Sequence, residues 1–436
     1  MPSSNSQLRD PSRLDLWICC LFVAAFCYEL PLIEITSYDR LNPRLVDVMT
    51  VVAFFFTSWK RNKSNKLLRA WELLTIVFVL AALISFAALL PINYGYFSIF
   101  FAIKYIETLV GLYILTGFNW QNHHIDKLLR FFCYGLIFAG AWGLLQLLGV
   151  IPTERYLPNG ELVVVPPGIV LASFGVTYFH SGVMGALGCG VALLLLERKA
   201  IFFPMFLLAL AASLFLATFS GSRGALAMAI IIITIMVIRN RRLLLFACIA
   251  GIIAATSGVA TLVEDYSATS ARLESSTEKN SVTQRLGADY FDLFGETINY
   301  HGIKLLLVGG GFYAVPMPDG NGDPKYRVSY GFHNIYFFAI EQAGLLAFFA
   351  MLSFFYLSIK HAVRNRKNSY ATCGLAIIIG IMLIGWTGQI FLHGFGTENM
   401  ITLQVFLIIL LSSMSKQDPK RYKKIIQHSP PSITKV

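Results

Sequence analysis

Two arginines and one histidine are the residues of this 436-residue chain that could form a reactive site. Arg223 lies in the segment Ser220–Gly224, a run of small residues at the predicted start of a helix. A helix N-terminus offers free backbone N–H groups, and small residues let a ligand approach the backbone closely. Together with the guanidinium of Arg223, the segment predicts an anion site. The alternative is an ordinary interfacial arginine whose charged end reaches water beside a tight turn.

The segment Phe332–Tyr336 places His333 and Asn334 at a predicted boundary between water and lipid. An imidazole there can act as a general base near neutral pH. The alternative is a helix cap, because His and Asn at a helix start can hydrogen-bond to free backbone amides. Both interpretations stay open on the residues alone. The third candidate, Arg285, lies in the long polar run between Glu264 and Asn334.

The composition indicates what kind of protein positions these residues. Hydrophobic residues make up 56% of the chain and charged residues 14%, against about 25% in soluble domains. A helix needs about 20 apolar residues to cross a membrane, and the chain offers about a dozen such runs. The predicted fold class is therefore an all-α polytopic membrane protein with about twelve transmembrane helices and one long extracytoplasmic loop. The seven cysteines show no CxxC pair, so the sequence predicts neither a disulfide framework nor a zinc site.

The apolar runs divide the chain into segments. A cytoplasmic N-terminus (1–13) precedes transmembrane helices 1–9 (14–263), and the extracytoplasmic loop (264–334) precedes helices 10–12 (335–414) and a basic cytoplasmic tail (415–436). The twelve predicted spans are Leu14–Ile33, Leu45–Trp59, Trp71–Leu90, Phe97–Thr116, Leu128–Ile151, Val176–Leu196, Ile201–Phe219, Gly224–Ile238, Leu243–Val263, Ile335–Leu357, Tyr370–His393 and Met400–Met414.

The net charge of +11 indicates topology rather than nucleic-acid binding, because the basic residues form short runs between apolar spans. With the N-terminus inside, the cytoplasmic segments hold 24 of the 35 lysines and arginines. This bias predicts that both termini are cytoplasmic and that the long polar run is outside. The helix starts at Arg223 and His333 then face the same side as Arg285. The three candidate residues are therefore predicted to share one compartment.

Three further charged residues lie inside predicted spans. Lys104 and Glu107 are three residues apart on span four, so they can pair on one helix face and reduce the cost of burying both charges. Glu341 lies on span ten, about 12 Å along the helix from His333 at 1.5 Å per residue. A hydrogen bond within the helix bundle is the favoured interpretation for Glu341, and a proton-linked group is the alternative.

Taken together, these motifs resemble the O-antigen ligase and polymerase family of bacterial envelope glycan assembly. The resemblance is carried by Ser220–Ala225, by Arg285, by the glycine turn Gly309–Gly311 and by the stretch His333–Gly344. It covers about residues 200–360, whereas the first five spans match only in hydropathy. The motifs are short, but their order and spacing are moderately specific.

The resemblance implies a metal-independent, inverting glycosyltransferase in the bacterial cytoplasmic membrane, without a cofactor. Its donor would be a polyprenyl-diphosphate-linked oligosaccharide and its acceptor a glycan or lipid-linked glycan, with no nucleic acid involved. Arg223 and Arg285 would bind the diphosphate, and His333 would take the proton from the acceptor hydroxyl. This chemistry is reasonable, because a diphosphate leaving group needs its developing charge stabilised. The supporting residues implied are Ser222, Gly224 and Asn334.

The sequence leaves several functional alternatives. A polymerase that extends one lipid-linked chain with another is slightly favoured over a ligase that moves finished polymer to a lipid core. Membrane lipids and other glycan-assembly membrane proteins are further candidate partners. A twelve-helix transporter or flippase of lipid-linked sugars is the main alternative class, because charges inside the membrane would suit a substrate path.

Overall fold

In the computed structural model, the described residues are 8–28, 44–89, 95–152, 155–156, 162–163, 178–239, 334–386 and 398–414, together with 295, 299, 303, 306–307, 309, 317–318 and 324–325. Helices dominate this part of the chain. They are α1 Arg13–Ala25, α2 Leu45–Phe56, α3 Lys66–Leu89, α4 Gly95–Thr116, α5 Asn122–Leu147, α6 Tyr178–Glu197, α7 Phe203–Phe219, α8 Arg223–Arg239, α9 Ile335–Arg364, α10 Ser369–Ile384 and α11 Glu398–Ser413. Two short antiparallel pairs accompany them: β1 Arg155–Tyr156 with β2 Leu162–Val163, and β3 Met317–Pro318 with β4 Pro324–Lys325.

The described helices confirm a helical protein of membrane character. By length and composition, four of them can cross a membrane: α3 over Lys66–Ile84, α5, α6 over His180–Glu197, and α9. The apolar helices α2, α7, α10 and α11 are shorter. The count of twelve spans and the orientation remain predictions, and span nine lies outside the described residues.

Two predicted boundaries differ from the structure in an instructive way. Helix α5 begins at Asn122, six residues before the predicted start, and α9 continues to Arg364, seven residues beyond the predicted end. In both cases more than half of the extra residues are polar or charged. Hydropathy detects the part of a helix that suits lipid, whereas the hydrogen-bonded backbone continues past that point.

The helices differ in how they are packed. The apolar side chains of α11 between Met400 and Leu411 are buried all round, as are those of α6 between Val183 and Leu195. By contrast, α2 leaves Phe55 and Phe56 exposed, and α7 leaves Leu208 exposed. A helix that is apolar on all sides is stable in the centre of a bundle, and an exposed apolar face suits lipid. The bundle therefore has central helices α6 and α11 and peripheral helices α2 and α7.

One end of the bundle, called the basic end below, is joined by a connected set of polar contacts. Asp126 accepts hydrogen bonds from Arg198 Nε and Nη2 at 2.8 and 3.0 Å and from the Tyr370 hydroxyl at 2.6 Å. Although burial by itself lowers the pKa of Arg198, its hydrogen bond to Asp126 raises that pKa above its usual value. The other members of the basic end are Asp15, Ser58, Arg61, Glu72, Asn119, Glu197, Arg239, Asn368 and Ser369.

A second bidentate pair at the basic end joins Arg61 to Glu72, at 3.1 and 2.7 Å. Because Arg61 donates hydrogen bonds to the Glu72 carboxylate, the pKa of Arg61 is raised above its usual value. Backbone contacts between segments complete this end: the Ser58 N–H donates to Asp15 at 2.9 Å, and the Asn119 N–H donates to the Arg9 carbonyl at 2.9 Å. Helices α1, α5, α6, α8 and α10 therefore each have one terminus at the basic end.

Helix α9 is broken near its beginning, which the hydropathy of span ten does not predict. Ala343 (φ −142°, ψ 16°) and Gly344 (φ 75°, ψ −175°) are non-helical, so Ile335–Gln342 and the remainder of α9 are two separate helical pieces. Gly344 provides a backbone conformation with positive φ that side chains disfavour. Because of this break, distance along a single straight helix does not give the depth of a residue in α9.

Candidate functional site

Away from the basic end, the end of α10 packs against the start of α8 and the start of α9, and the start of α6 packs against the turn before α8. This region is called the Arg223 end below, and it consists of His180–Gly182, Ser220–Gly224, Asn334–Tyr336 and Ile384–Trp386. It contains four of the six predicted site residues: Ser222, Arg223, Gly224 and Asn334. The other two, Arg285 and His333, lie outside the described residues.

The turn between α7 and α8 is built from two serines and a glycine. Gly221 has a φ of +69°, which lets the chain reverse sharply. The Ser220 Oγ accepts a hydrogen bond from the Ser222 N–H at 3.3 Å. The Ser222 Oγ in turn accepts one from the Ala225 N–H at 3.2 Å, which makes Ser222 the cap of α8. The hydroxyl of Ser222 therefore shapes the turn.

Arg223 is the first residue of α8, and its side chain is partly buried. A positive charge at a helix N-terminus opposes the helix dipole, so helix stability does not account for an arginine at this position. The same dipole favours a bound anion, and the guanidinium adds to that preference. The local electrostatics of this position therefore suit the recognition of a negatively charged group.

Close packing of α6 fixes the turn that carries Arg223. A side chain at Gly182 would overlap the Ser220 Oγ and would come 2.7 Å from the Ala225 Cβ, so only glycine allows this approach. Just before it, His180 is fully buried, and its Nε2 lies 3.1 Å from the Phe26 carbonyl oxygen. Because a carbonyl oxygen only accepts, Nε2 carries the hydrogen in this contact.

The start of α9 is held by Asn334. Its Oδ1 accepts hydrogen bonds from the Tyr336 and Phe337 N–H groups at 2.9 and 3.2 Å. Its Nδ2 donates to the Trp386 carbonyl at 3.2 Å, after the end of α10. The helix-cap interpretation is confirmed for Asn334, because both ends of its amide are used to hold structure. Asn334 therefore supports the site as an anchor.

The end of α10 connects the two predicted motifs. A Cβ on Gly224 would lie 3.0 Å from the Ile384 Cγ2, so the start of α8 packs directly on the last turn of α10. The next residue, Gly385, accepts a hydrogen bond from the Ile335 N–H at 2.8 Å. The sequence segments around Arg223 and Asn334, which are more than a hundred residues apart, thus adjoin the same helix end.

Of the predicted glycine turn Gly309–Gly311, only Gly309 is among the described residues, and it lies against α9. Gly309 has a φ of +77°, and a side chain there would overlap the backbone of Gln342 and Ala343. The glycine therefore rests directly against the break in α9. Beside that break, Glu341 and Gln342 are buried, and the Gln342 Oε1 has no hydrogen-bond partner among the described residues. The prediction of a buried Glu341 is confirmed, and its role remains a prediction.

The intramembrane pair predicted on α4 is present, with an additional member. Lys104 Nζ lies 2.9 Å from Glu107 Oε2 and 2.7 Å from Asp47 Oδ1 on α2. The pairing of Lys104 with Glu107 is thus confirmed. Within the described ranges, no group of three or more His, Cys, Asp and Glu residues is arranged to hold a metal ion.

Two residues were missed by the sequence analysis. His180 lies near the start of the predicted apolar span Val176–Leu196, and a histidine at such a position was the signal that could have identified it. Asp47 had no local signal that would link it to Lys104, because 57 residues separate the two.

No protein-family model and no curated protein matches this chain, so the resemblance to the O-antigen ligase and polymerase family remains a hypothesis based on short motifs.

Proposed function

We propose that this protein is a membrane-embedded glycan transferase of the O-antigen ligase and polymerase type. It would join a polyprenyl-diphosphate-linked oligosaccharide to a glycan acceptor on the outer face of a bacterial cytoplasmic membrane. The observation that carries the proposal is the meeting of the Arg223 turn and the start of α9 at the end of α10. Two of the motifs that carry the resemblance, one around Arg223 and one around Asn334, therefore contact the same end of α10.

The electrostatics of the Arg223 turn support a diphosphate as the group recognised. The reaction breaks the bond between the donor sugar and the diphosphate oxygen, so negative charge develops on the leaving group. A guanidinium can donate two parallel hydrogen bonds to phosphate oxygens, and the positive end of the α8 dipole adds to this stabilisation. Arg285 would supply the second guanidinium of the clamp.

The acceptor half of the reaction depends on His333. The acceptor hydroxyl attacks the anomeric carbon, and its proton must move to a base as the new bond forms. His333 is bonded to Asn334, the residue that caps α9 and binds the end of α10. A base attached to such an anchor would be held at a fixed position, which general-base catalysis requires.

The direct test is product formation by the purified full-length protein with a polyprenyl-diphosphate oligosaccharide as donor. We expect release of polyprenyl diphosphate together with a longer or transferred glycan. Arg223→Ala should abolish both products, whereas Arg239→Ala should retain them. Arg239 is the matched control, because it ends the same helix and donates to the Asn368 carbonyl at the basic end. Equal loss in both variants, or no glycan bond formed by the wild type, would contradict the proposal.

A transporter of lipid-linked sugars is the second candidate, favoured by the buried charges of Asp47, Lys104 and Glu107. The two functions differ in their products. A transporter would move the lipid-linked oligosaccharide across a vesicle membrane and leave its length unchanged. Vesicles containing the protein and a labelled donor distinguish the two, because transferase activity lengthens or transfers the glycan and releases the carrier.

A further inference from the structure

The cluster of Asp47, Lys104 and Glu107 lies between α2 and α4, and no residue of the Arg223 end takes part in it. Lys104 is buried, and most of each carboxyl side chain is buried as well. The ammonium of Lys104 contacts one oxygen of each carboxyl group. One positive charge is therefore placed between two groups that could each be negative.

The two carboxyl groups differ in their remaining contacts. Asp47 uses both oxygens, because its Oδ1 faces Lys104 and its Oδ2 accepts the Arg44 N–H at 2.8 Å. It also lies in the first turn of α2, where the helix dipole stabilises a negative charge. The surroundings of Asp47 therefore favour its ionised form.

Glu107 is less well satisfied. Its Oε2 faces Lys104, but its Oε1 is buried and has no hydrogen-bond partner in the described part of the chain. A buried carboxylate oxygen without a partner is costly, and the neutral acid is less so. With Asp47 already paired to Lys104, a negative charge at Glu107 would be repelled by the negative charge of Asp47 beside the same ammonium.

The charged groups around Glu107 come from two helices. Lys104 is on its own helix, and Asp47 is on α2, preceded by the buried Arg44. On α3, Glu72 is paired with Arg61, whose guanidinium lies over the Tyr113 ring near the other end of α4. The nearest polar contact from α11 is the neutral Thr402, which donates to Thr108.

We propose that Asp47, Lys104 and Glu107 form a proton-binding site inside the bundle, in which Glu107 holds one proton while Asp47 stays ionised against Lys104. The ligand of this site is a proton exchanged with water. Its release would leave two carboxylates facing one ammonium, which weakens the attachment of α2 to α4. The attachment should therefore be strongest at a pH where Glu107 is protonated and Asp47 is still ionised, and it should weaken as pH rises above that range.

A hydrophobic carbodiimide tests the protonation directly on the full-length protein in detergent or lipid discs. The reagent reacts with the protonated carboxyl: the O–H adds across its C=N bond, and the adduct rearranges to a stable N-acylurea without a leaving group. Mass spectrometry then locates the label. The matched controls are Asp126 and Glu72, two carboxyl groups that each bind an arginine through two hydrogen bonds.

We expect roughly a hundredfold more label on Glu107 than on either control at neutral pH, because an ordinary carboxyl is protonated there in well under about one per cent of molecules. The label should decrease as pH rises. In Lys104→Met, Asp47 loses its ammonium and should also become labelled. Label on Asp47 instead of Glu107 in the wild type, or equal label on the controls, would overturn the assignment.

Thermal unfolding provides a second, independent measurement that does not depend on reagent access. Glu107→Gln keeps a neutral side chain of the same shape, so its unfolding temperature at neutral pH should equal that of the wild type. Asp47→Asn removes the charge that balances Lys104 and should lower the unfolding temperature. Equal lowering by the two variants would mean that Glu107 is ionised and would refute the proton site.

Discussion

The basic end and the Arg223 end of the bundle are built from different chemistry. At the basic end, guanidinium groups meet carboxylates in bidentate pairs, as in Arg198 with Asp126. At the Arg223 end, serine hydroxyls, an asparagine and backbone carbonyls join the helices, as in Asn334 with Trp386. A bidentate pair uses the charge of both partners to hold structure. The turn that carries Arg223 is shaped by the hydroxyls of Ser220 and Ser222, which are neutral groups.

The largest effect that could break this comparison concerns which side of the membrane each end faces. A phosphatase reporter that is active only after export should be active when fused near Lys279 and inactive when fused near Arg364. The reason is the concentration of lysine and arginine in the segments of the basic end. Activity at Arg364 and none at Lys279 would invert the topology and remove the shared site from the outer face.

The next-largest effect tests whether glycan transfer depends on His333, which precedes α9 in the sequence. His333→Ala should lower glycan product by about 10²–10⁴-fold, the usual loss when a general base is removed. His361→Ala in the last turn of the same helix is the control and should retain activity. Product is measured by gel at equal protein level. Unchanged product in His333→Ala would reduce this histidine to a helix cap.

Lysine variants of Arg223 and Arg285 test whether these arginines recognise a diphosphate specifically or act only through their positive charge. Lysine keeps the charge but lacks the planar group that binds two phosphate oxygens, so Arg223→Lys and Arg285→Lys should behave nearly like alanine variants. The expected loss is about 10²–10³-fold, as for removal of one charge-stabilising donor. Arg239→Lys serves as the control. Full activity of both lysine variants would contradict the diphosphate clamp.

The packing at the Arg223 end predicts a smaller effect on stability. In Gly182→Ala, the new methyl group would overlap the Ser220 hydroxyl, so we expect a destabilisation of about 1–3 kcal/mol together with a displaced turn. Gly111→Ala is the matched control, because its nearest neighbour would be a flexible phenyl ring at 3.3 Å. Thermal unfolding and activity are measured together. Equal effects of the two variants would show that the α6 contact is ordinary.

The smallest effect ranks the two arginine pairs of the basic end. The Arg61 side chain is 50% exposed, so Arg61→Gln should cost at most about 1 kcal/mol of unfolding free energy. The Arg198 side chain is 21% exposed and its guanidinium also lies 4.0 Å from the centre of the Tyr370 ring, so Arg198→Gln removes a less exposed contact and should cost about 1–3 kcal/mol. Denaturant unfolding compares them. The reverse order would show that exposure does not control these pairs.

The sequence by itself determined most helix positions and one ion pair. Continuous hydropathy is a local property, so α7 at Phe203–Phe219 lies within two residues of its predicted span. The pairing of Lys104 with Glu107 followed from the spacing of three residues on one helix. A helix cap at Asn334 was one of two interpretations that residue type and position left open, and the hydrogen bonds of its amide decided for it.

Only the tertiary structure decided which distant segments meet. The third member of the lysine cluster, Asp47, comes from another helix, and such contacts depend on how helices pack. The break at Ala343 and Gly344 was hidden, because hydropathy is continuous across it. The meeting of Gly224 with Ile384 and of Asn334 with Trp386 follows from packing against α10. Local patterns specify the helices, whereas shape complementarity between them decides which residues share a site.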